Sequence, residues 1–431
     1  MVKGQSRGVL HYAQKLSPGR LNREGQYRDA SHIFMQCVNN KRKEGIIMQQ
    51  KRQSKGNISY ILLTLFLFIT IAIAASCGGG GGEDGGGGGS TPIPSGTLLF
   101  TATSNPSTGT DIAWGIAIDS TYKYVVGHDS SPGNYQWRIE KRSLASGALV
   151  AGFGTGGVVT SNPSVGDDYA FFGIAIDSTY MYVVGGDYSH GNYQWRIEKR
   201  SLSDGALAAG FGAGGVVTID PSLGVDIAYA IAIDSTYMYV VGYDSSPGNA
   251  QWRIEKRNLA SGALVAGFGA GGVVTSNPSV GDDYAFGIAI DSTYKYVVGH
   301  DSSPGNYQWR IEKRSLASGA LVAGFGTGGV VTSNPSVGDD YAFFGIAIDS
   351  TYMYVVGGDY SHGNYQWRIE KRSLSDGALA AGFGAGGVVT IDPSLGVDIA
   401  YAIAIDSTYM YVVGIDYSHG NAQWRIEKRT K

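Results

Sequence analysis

The sequence predicts an all-β chain made as a six-unit repeat array, a propeller or a related array, and three observations point there. The stretch GIAIDSTYKYVVGHDSSPGNYQWRIEKR at 115–142 recurs, lightly edited, six times, placing its aspartate at Asp119, Asp177, Asp234, Asp291, Asp349 and Asp406. The intervals between these aspartates take two lengths that differ by a single position, on the scale of a supersecondary unit that buries its apolar face only by stacking on a neighbour. Within each unit, short apolar runs of strand length alternate with clusters of Gly, Asp, Ser, Asn and Pro.

Taken in order, Gly115 to Ile118 alternates small and large residues and forms the first strand. Asp119-Ser120-Thr121 turns the chain, because an aspartate side chain can bond to the backbone two residues on. Tyr124-Val125-Val126, aromatic and β-branched, is the second strand, and Asp129 to Asn134 is the next turn. Tyr135 to Arg142 alternates again, with Tyr135, Trp137 and Ile139 on one face and Gln136, Arg138 and Glu140 on the other. A fourth strand fits within Leu149 to Thr160, where glycines permit bends.

A longer period lies over the short one. Residues 115–242 are identical to residues 287–414, an offset of three units. The copies part only where Tyr243, Ser245 and Pro247 become Ile415, Tyr417 and His419. Exposed loop positions drift freely, so identity over this length reads as an internal duplication of a three-unit block.

The chain divides into 1–47, 48–76, 77–95 and 96–431. Residues 1–47 lack periodicity and read as an untranslated or disordered extension, with translation expected from Met48. Met48 to Asn57 is basic and precedes the apolar run Ile58 to Ala75, the layout of a secretory signal. Residues 77–95 are a Gly-rich tether with no means of building a core, and 96–431 holds the repeats. The formal net charge of −3 conceals an asymmetry: residues 1–76 carry 12 Lys/Arg against 3 Asp/Glu, leaving 21 against 33 in the rest. An acidic body excludes nucleic acid as a partner, since that partner needs a basic footprint. Cys37 and Cys77 are the only cysteines, so the repeats contain no disulfide framework.

Two resemblances carry further expectations. Ala74-Ala75-Ser76-Cys77 resembles the lipobox of bacterial lipoproteins, with Ala74 where that family usually has Leu. The resemblance implies acylation of Cys77 and a lipid-anchored place in the bacterial cell envelope, at the outer membrane or cell surface. Several acyl chains on one residue give stable anchoring, each buried methylene contributing about 0.8 kcal/mol. Phe153-Gly154-Thr155-Gly156-Gly157-Val158-Val159-Thr160, Asp167-Asp168, Gly173-Ile174-Ala175-Ile176 and Tyr182-Val183-Val184-Gly185 resemble the bacterial delta-60 propeller repeat and, more loosely, the NHL type. The first hairpin departs from that family, with Asp177-Ser178-Thr179 where Asp-Gly is common. The resemblance implies a six-bladed β-propeller of four-stranded blades, Gly-Ile-Ala-Ile innermost and Gly-Gly-Val-Val-Thr outermost. The last third-type strand, Gln423 to Arg429, has no outer strand after it. Leu98 to Ser107 aligns with Val159 to Ser164, so the ring is expected to be closed by this N-terminal strand, which removes exposed sheet edges.

Candidate chemistry is sparse. The six tryptophans from Trp137 to Trp424 recur within a strand and read as blade-to-blade packing, not a stacking platform. The Arg138-Ile139-Glu140-Lys141-Arg142 run reads as cross-strand and inter-blade ion pairing. Asp167-Asp168, Asp282-Asp283 and Asp339-Asp340 follow Asn-Pro-Ser-Val-Gly and read as turn residues, so no metal is expected. His128, His190, His300, His362 and His419 fall in one loop type without zinc-ligand spacing. No nucleophile elbow, phosphate loop or dinucleotide fingerprint occurs, and no cofactor is expected.

In a propeller the loops before the inner strands and those between second and third strands share one face. That face collects Asp129, Asn134, Asp167, Asp168, Asp187, Tyr188, His190 and Asn192, with Asp359, Tyr360 and His362 at the equivalent places of the second block. Short polar and aromatic side chains in loops suit a hydrated glycan or a polar protein surface. The expected function is therefore a monomeric, lipid-anchored binding or scaffolding module for an extracellular glycan or surface protein. It is expected not to be an enzyme, because an active site needs unlike groups in unequal places and the duplicated halves repeat theirs. The alternative is a polysaccharide-acting hydrolase or lyase on the same scaffold.

Overall fold

The computed structural model describes residues 102–431 apart from 419–422, with the side chains of Phe172 and Trp424 also outside the description. The chain is a six-bladed β-propeller. Each blade is an antiparallel meander: in the first, β1 (Ile112–Ile118), β2 (Tyr122–Asp129), β3 (Gln136–Ser143) and β4 (Val158–Ser161) lie side by side in that order. Five sheets have four strands, and the sixth has three among the described residues. The first strands of successive blades pack on one another around the axis, as expected.

The repeated aspartate sets the first turn. Asp119 Oδ1 accepts the amides of Thr121 at 2.7 Å and Tyr122 at 2.6 Å, and the Tyr124 hydroxyl donates to Asp119 Oδ2 at 2.9 Å. The side chain thus supplies what Asp-Gly would supply through backbone freedom. The longer of the two repeat intervals has a simple cause. The inner strands Tyr169–Ile176 and Tyr341–Ile348 carry one extra residue each, Phe172 and Phe344, and the ladder slips between Ala170 and Ile174 and between Ala342 and Ile346. Each is a bulge that bends the strand at the axis.

Blades adhere through tryptophan. Trp137, Trp195, Trp252, Trp309 and Trp367 are fully buried. Each indole donates across the junction to a backbone carbonyl of the next blade, Trp137 to Gly186 at 3.2 Å and Trp195 to Tyr243 at 2.9 Å. The packing role expected from the sequence is correct. A glycine is required opposite: a Cβ at Gly185 would collide with the Tyr169 carbonyl and the Trp137 ring.

The charged run of the third strand is internal. Glu198 takes Arg196 at 2.8 Å and Arg200 at 2.6 Å, and the Ser161 hydroxyl of the preceding outer strand donates to it at 2.7 Å. Burial alone would raise this carboxyl, but Arg200, Arg196 and Ser161 outweigh it and hold the glutamate below its usual range. Arg196 also reaches Asp187 of the neighbouring strand at 3.2 Å. These ion pairs are therefore within a blade, while the serine and the lysine of the run bond across junctions, Lys199 donating to the Leu259 carbonyl of the next blade at 3.0 Å.

The same serine marks the junction of the last and first blades. Ser104, in the extended segment before β1, donates to Glu140 at 2.6 Å, as Ser276 does to Glu312 at 2.8 Å and Ser333 to Glu370 at 2.7 Å. The N-terminal segment thus stands where a sixth outer strand would end. Packing there is thinner: Ile426 is 70% exposed, whereas its counterparts Ile139, Ile197, Ile254, Ile311 and Ile369 are at most 1% exposed.

Candidate functional site

The loops before the inner strands and those between second and third strands meet on one face, as expected. The Asn134 side-chain amide donates to Asn162 at 3.0 Å and to the Gly166 carbonyl, while the Tyr135 amide donates to Asp167 at 3.0 Å. Asn192 makes the same clamp on Asp220 at 3.0 Å and on Gly224 at 2.9 Å.

Many of the candidate residues hold the face together from within. Asp129, Asp168, Asp187 and Asp359 are fully buried. Asp129 binds Gln136 at 2.9 Å and Arg138 at 3.3 Å, and Asp359 binds Gln366 at 2.6 Å and Arg368 at 3.2 Å. Asp168 accepts from the Ser164 hydroxyl and the Tyr188 amide, both at 2.9 Å, and burial raises its carboxyl above the ordinary range. The same position at Asp226 is pushed up to about 6, by burial first and with Asp244 adding to it, yet Asp226 is fully buried and has no access to a ligand. The side chains that reach solvent are Tyr188 at 36% exposure, His190 and His362 on loop crests, and in part Asn134, Asp167, Asn192 and Tyr360. His190 lies 3.5 Å from Asp220.

His128 and His300 are not loop residues. Each is the last residue but one of its blade's second strand and is buried. Burial lowers their imidazoles to about 4 and about 3, so both are neutral at physiological pH. Around each histidine runs a strip of tyrosines, of which the sequence reading singled out only the outermost, Tyr188 and Tyr360. His128 lies 4.5 Å from Tyr135 and 5.0 Å from Tyr169, and Tyr169 continues to Tyr193 at 5.9 Å, which meets Tyr188 at 5.0 Å. The copy runs from His300 to Tyr307 at 4.4 Å and Tyr341 at 5.1 Å, then to Tyr365 at 5.7 Å and Tyr360 at 5.0 Å. Tyr135, Tyr169, Tyr193, Tyr307, Tyr341 and Tyr365 are all partly exposed. The signal was present in the repeat, as a tyrosine before Gln-Trp in four units and an alanine, Ala250 and Ala422, in the other two.

Toward the axis the strips end in an aromatic plug. Trp114, Phe171, Tyr229, Phe286, Phe343 and Tyr401 occupy one position of the six inner strands. Phe171 to Tyr229 is 5.4 Å and Tyr229 to Phe286 is 5.0 Å, and Phe344 bridges Tyr229 at 5.7 Å and Phe286 at 5.1 Å. The plug is unequal: Trp114 donates to His128 Nδ1 at 2.8 Å, whereas Phe286 leaves His300 Nδ1 without a hydrogen-bond partner among the described residues. The duplicated halves therefore differ at the axis.

Among the described residues no cluster of three His, Cys, Asp or Glu is placed to hold a metal ion, and no helix is long and apolar enough to cross a membrane. Cys77 and the segments 1–47, 48–76 and 77–101 lie outside the described residues.

Fold and face together define a β-propeller with a tyrosine-lined face. No family model matches the chain, and no curated protein matches it. Solved structures similar in fold include a GH32 β-fructofuranosidase of Bombyx mori, with 11% identity over 56% of this chain, 53% of that chain and a TM-score of 0.31. A GH43 β-xylosidase/α-arabinofuranosidase from a compost microbial metagenome has 12% identity over 60% of this chain and 89% of its own, with a TM-score of 0.29. A GH62 α-L-arabinofuranosidase of Coprinopsis cinerea has 14% identity over 60% and 89%, with a TM-score of 0.26. The chain spans about half the length of the first of these, and likeness at this level concerns the fold alone. The expectation of a chain without enzymatic activity is not upheld by this comparison, whose named structures are glycoside hydrolases alike in fold alone. The two halves differ at one of the inner-strand aromatics, Trp114 against Phe286.

Proposed function

We propose that the protein acts on a neutral polysaccharide, holding it on the two tyrosine strips. The observation that carries this reading is the pair of partly exposed strips, each with a carboxylate at its edge: Asp167 beside Tyr135, and Asp339 beside Tyr307 at 2.9 Å from its amide. Aromatic rings stack on the apolar faces of sugars while carboxylates bind hydroxyls and serve as acid and base in glycoside hydrolysis. Hydrolysis is favoured over elimination, which acts on uronates and needs a cation to neutralise their carboxylate. The arginines nearest the face, Arg138, Arg196, Arg253, Arg310 and Arg368, are already paired with Asp and Glu. The test is product release from a panel of neutral and uronate-containing polysaccharides. New reducing ends from a neutral polysaccharide, lost when Asp167→Asn and Asp339→Asn are combined, are expected. Unsaturated products from a uronate would move the reading to a lyase, and no product from any polymer would end it.

The blades are further proposed to be of the delta-60 type, and the ring to be a monomer tethered to the bacterial envelope by acylation of Cys77. A palmitate analogue fed to expressing cells should label the wild-type chain and leave Cys77→Ala unlabelled. Equal labelling of both would overturn the anchor.

A further inference from the structure

Five loop tips on the tyrosine face carry an aliphatic side chain held wholly in solvent. Val165, Leu223, Val280, Val337 and Leu395 are 98–102% exposed, whereas the outer-loop leucines Leu149, Leu207, Leu264, Leu321 and Leu379 are only 36–38% exposed. Each tip is fixed rather than loose. In the second blade Ser164 Oγ donates to Asp168 at 2.9 Å and accepts the Gly166 amide at 3.1 Å, while Asn134 clamps the Gly166 carbonyl. The residue between that serine and glycine is left pointing outward. The first blade has the polar Thr108 at this place. Beside three tips stands a tyrosine, since a Cβ at Gly166, Gly338 or Gly396 would strike the ring or Cβ of Tyr188, Tyr360 or Tyr417.

We propose that this face rests on a lipid bilayer, the five tips entering the headgroup boundary and Tyr188, Tyr360 and Tyr417 lying at interfacial depth. Exposing five aliphatic side chains to water is costly, and isolated side chains separated by polar loops do not form the contiguous apolar core of a protein interface. A deformable lipid surface accepts separate tips, and tyrosine, apolar in body and polar at its end, favours that boundary. The same chain carries an uncharged apolar run from Ile58 to Ala75, followed by the Gly-rich stretch 78–95. The face is acidic at Asp167, Asp282 and Asp339, so a zwitterionic lipid is the surface that fits. This inference does not depend on polysaccharide hydrolysis. If both hold, the glycan met by the strips is one displayed at the bilayer.

The test uses the full chain reconstituted in phosphatidylcholine vesicles. A fluorescent amino acid whose emission reports water replaces either Val280 or Ala317, an exposed residue just past Ser315, the end of its third strand remote from Tyr307. A blue shift at position 280, quenched by lipid-borne quenchers, with none at 317, is expected. Serine at the other four tips should return position 280 to a water-like emission. Water-like emission at both positions in the unsubstituted ring would overturn the proposal. So would a shift at 280 that depends on protein concentration without lipid, which would identify a second copy as the occupant.

Discussion

Lys295→Met raises the stability of the ring by about 3 kcal/mol at neutral pH, among the largest gains a single substitution can give. Lys295 sits in the second strand of the fourth blade, fully buried against the third. Its amine lies 4.0 Å from the centre of the Phe268 ring and donates to the Ser315 carbonyl at 3.0 Å. Burial first, then Arg314 and Lys256, lowers its pKa to about 6. Four other blades have methionine at this position, Met181, Met238, Met353 and Met410, each buried. The first blade has Lys123, which is partly exposed. Lys295 is the counterpart of Lys123 in the repeated three-unit block, and it occupies a buried junction where Lys123 is partly exposed. The unfolded chain holds the proton up to about pH 10.4, while the folded chain gives it up near 6. Between those values the unfolded state binds more protons, so wild-type stability should rise with pH across the window. Denaturant titrations at pH 6, 7.5 and 9 should show that rise in the wild type, a flatter profile in Lys295→Met, and little gain from Lys123→Met. An unchanged or lowered midpoint for Lys295→Met would contradict the burial argument.

The architecture was legible because each local signal agreed with the repeat. Asp119 and its five equivalents set the turn, the tryptophans mark the junctions, and Ser104 keeps the register of Ser161. What escaped was set by tertiary placement. A valine between serine and glycine, as at Val165, looks like any apolar loop residue. It becomes a solvent-facing tip only because Ser164, Asp168 and Asn134 clamp the loop around it. Conversely, Asp129, Asp187 and Asp359 look like exposed turn acids, yet Arg138, Arg196 and Arg368 draw them inside. In the sequence, Gly-His-Asp around His128 and His300 reads as part of a loop. They instead extend the second strand opposite Trp137 and Trp309. The tyrosine strips cross blades, joining Tyr135 to Tyr169 at 5.3 Å, and no spacing within one unit encodes that contact.

The second large effect falls on the strips. Tyr169 and Tyr341 stand at the middle of each, at equivalent places of the two duplicated blocks. A buried aromatic anchor contributes about 2 kcal/mol or more to binding, roughly a thirtyfold change in affinity. Because the strips lie on separate blade pairs, losses at one should leave the other intact. Isothermal titration of the full chain with neutral hexasaccharides of glucose, xylose and arabinose measures this directly. Two equivalent sites are expected for the wild type, one for Tyr169→Ala or Tyr341→Ala, and none for the double variant at unchanged melting temperature. A single site in the wild type, or two sites surviving in the double variant, would contradict a polysaccharide held on the tyrosine strips.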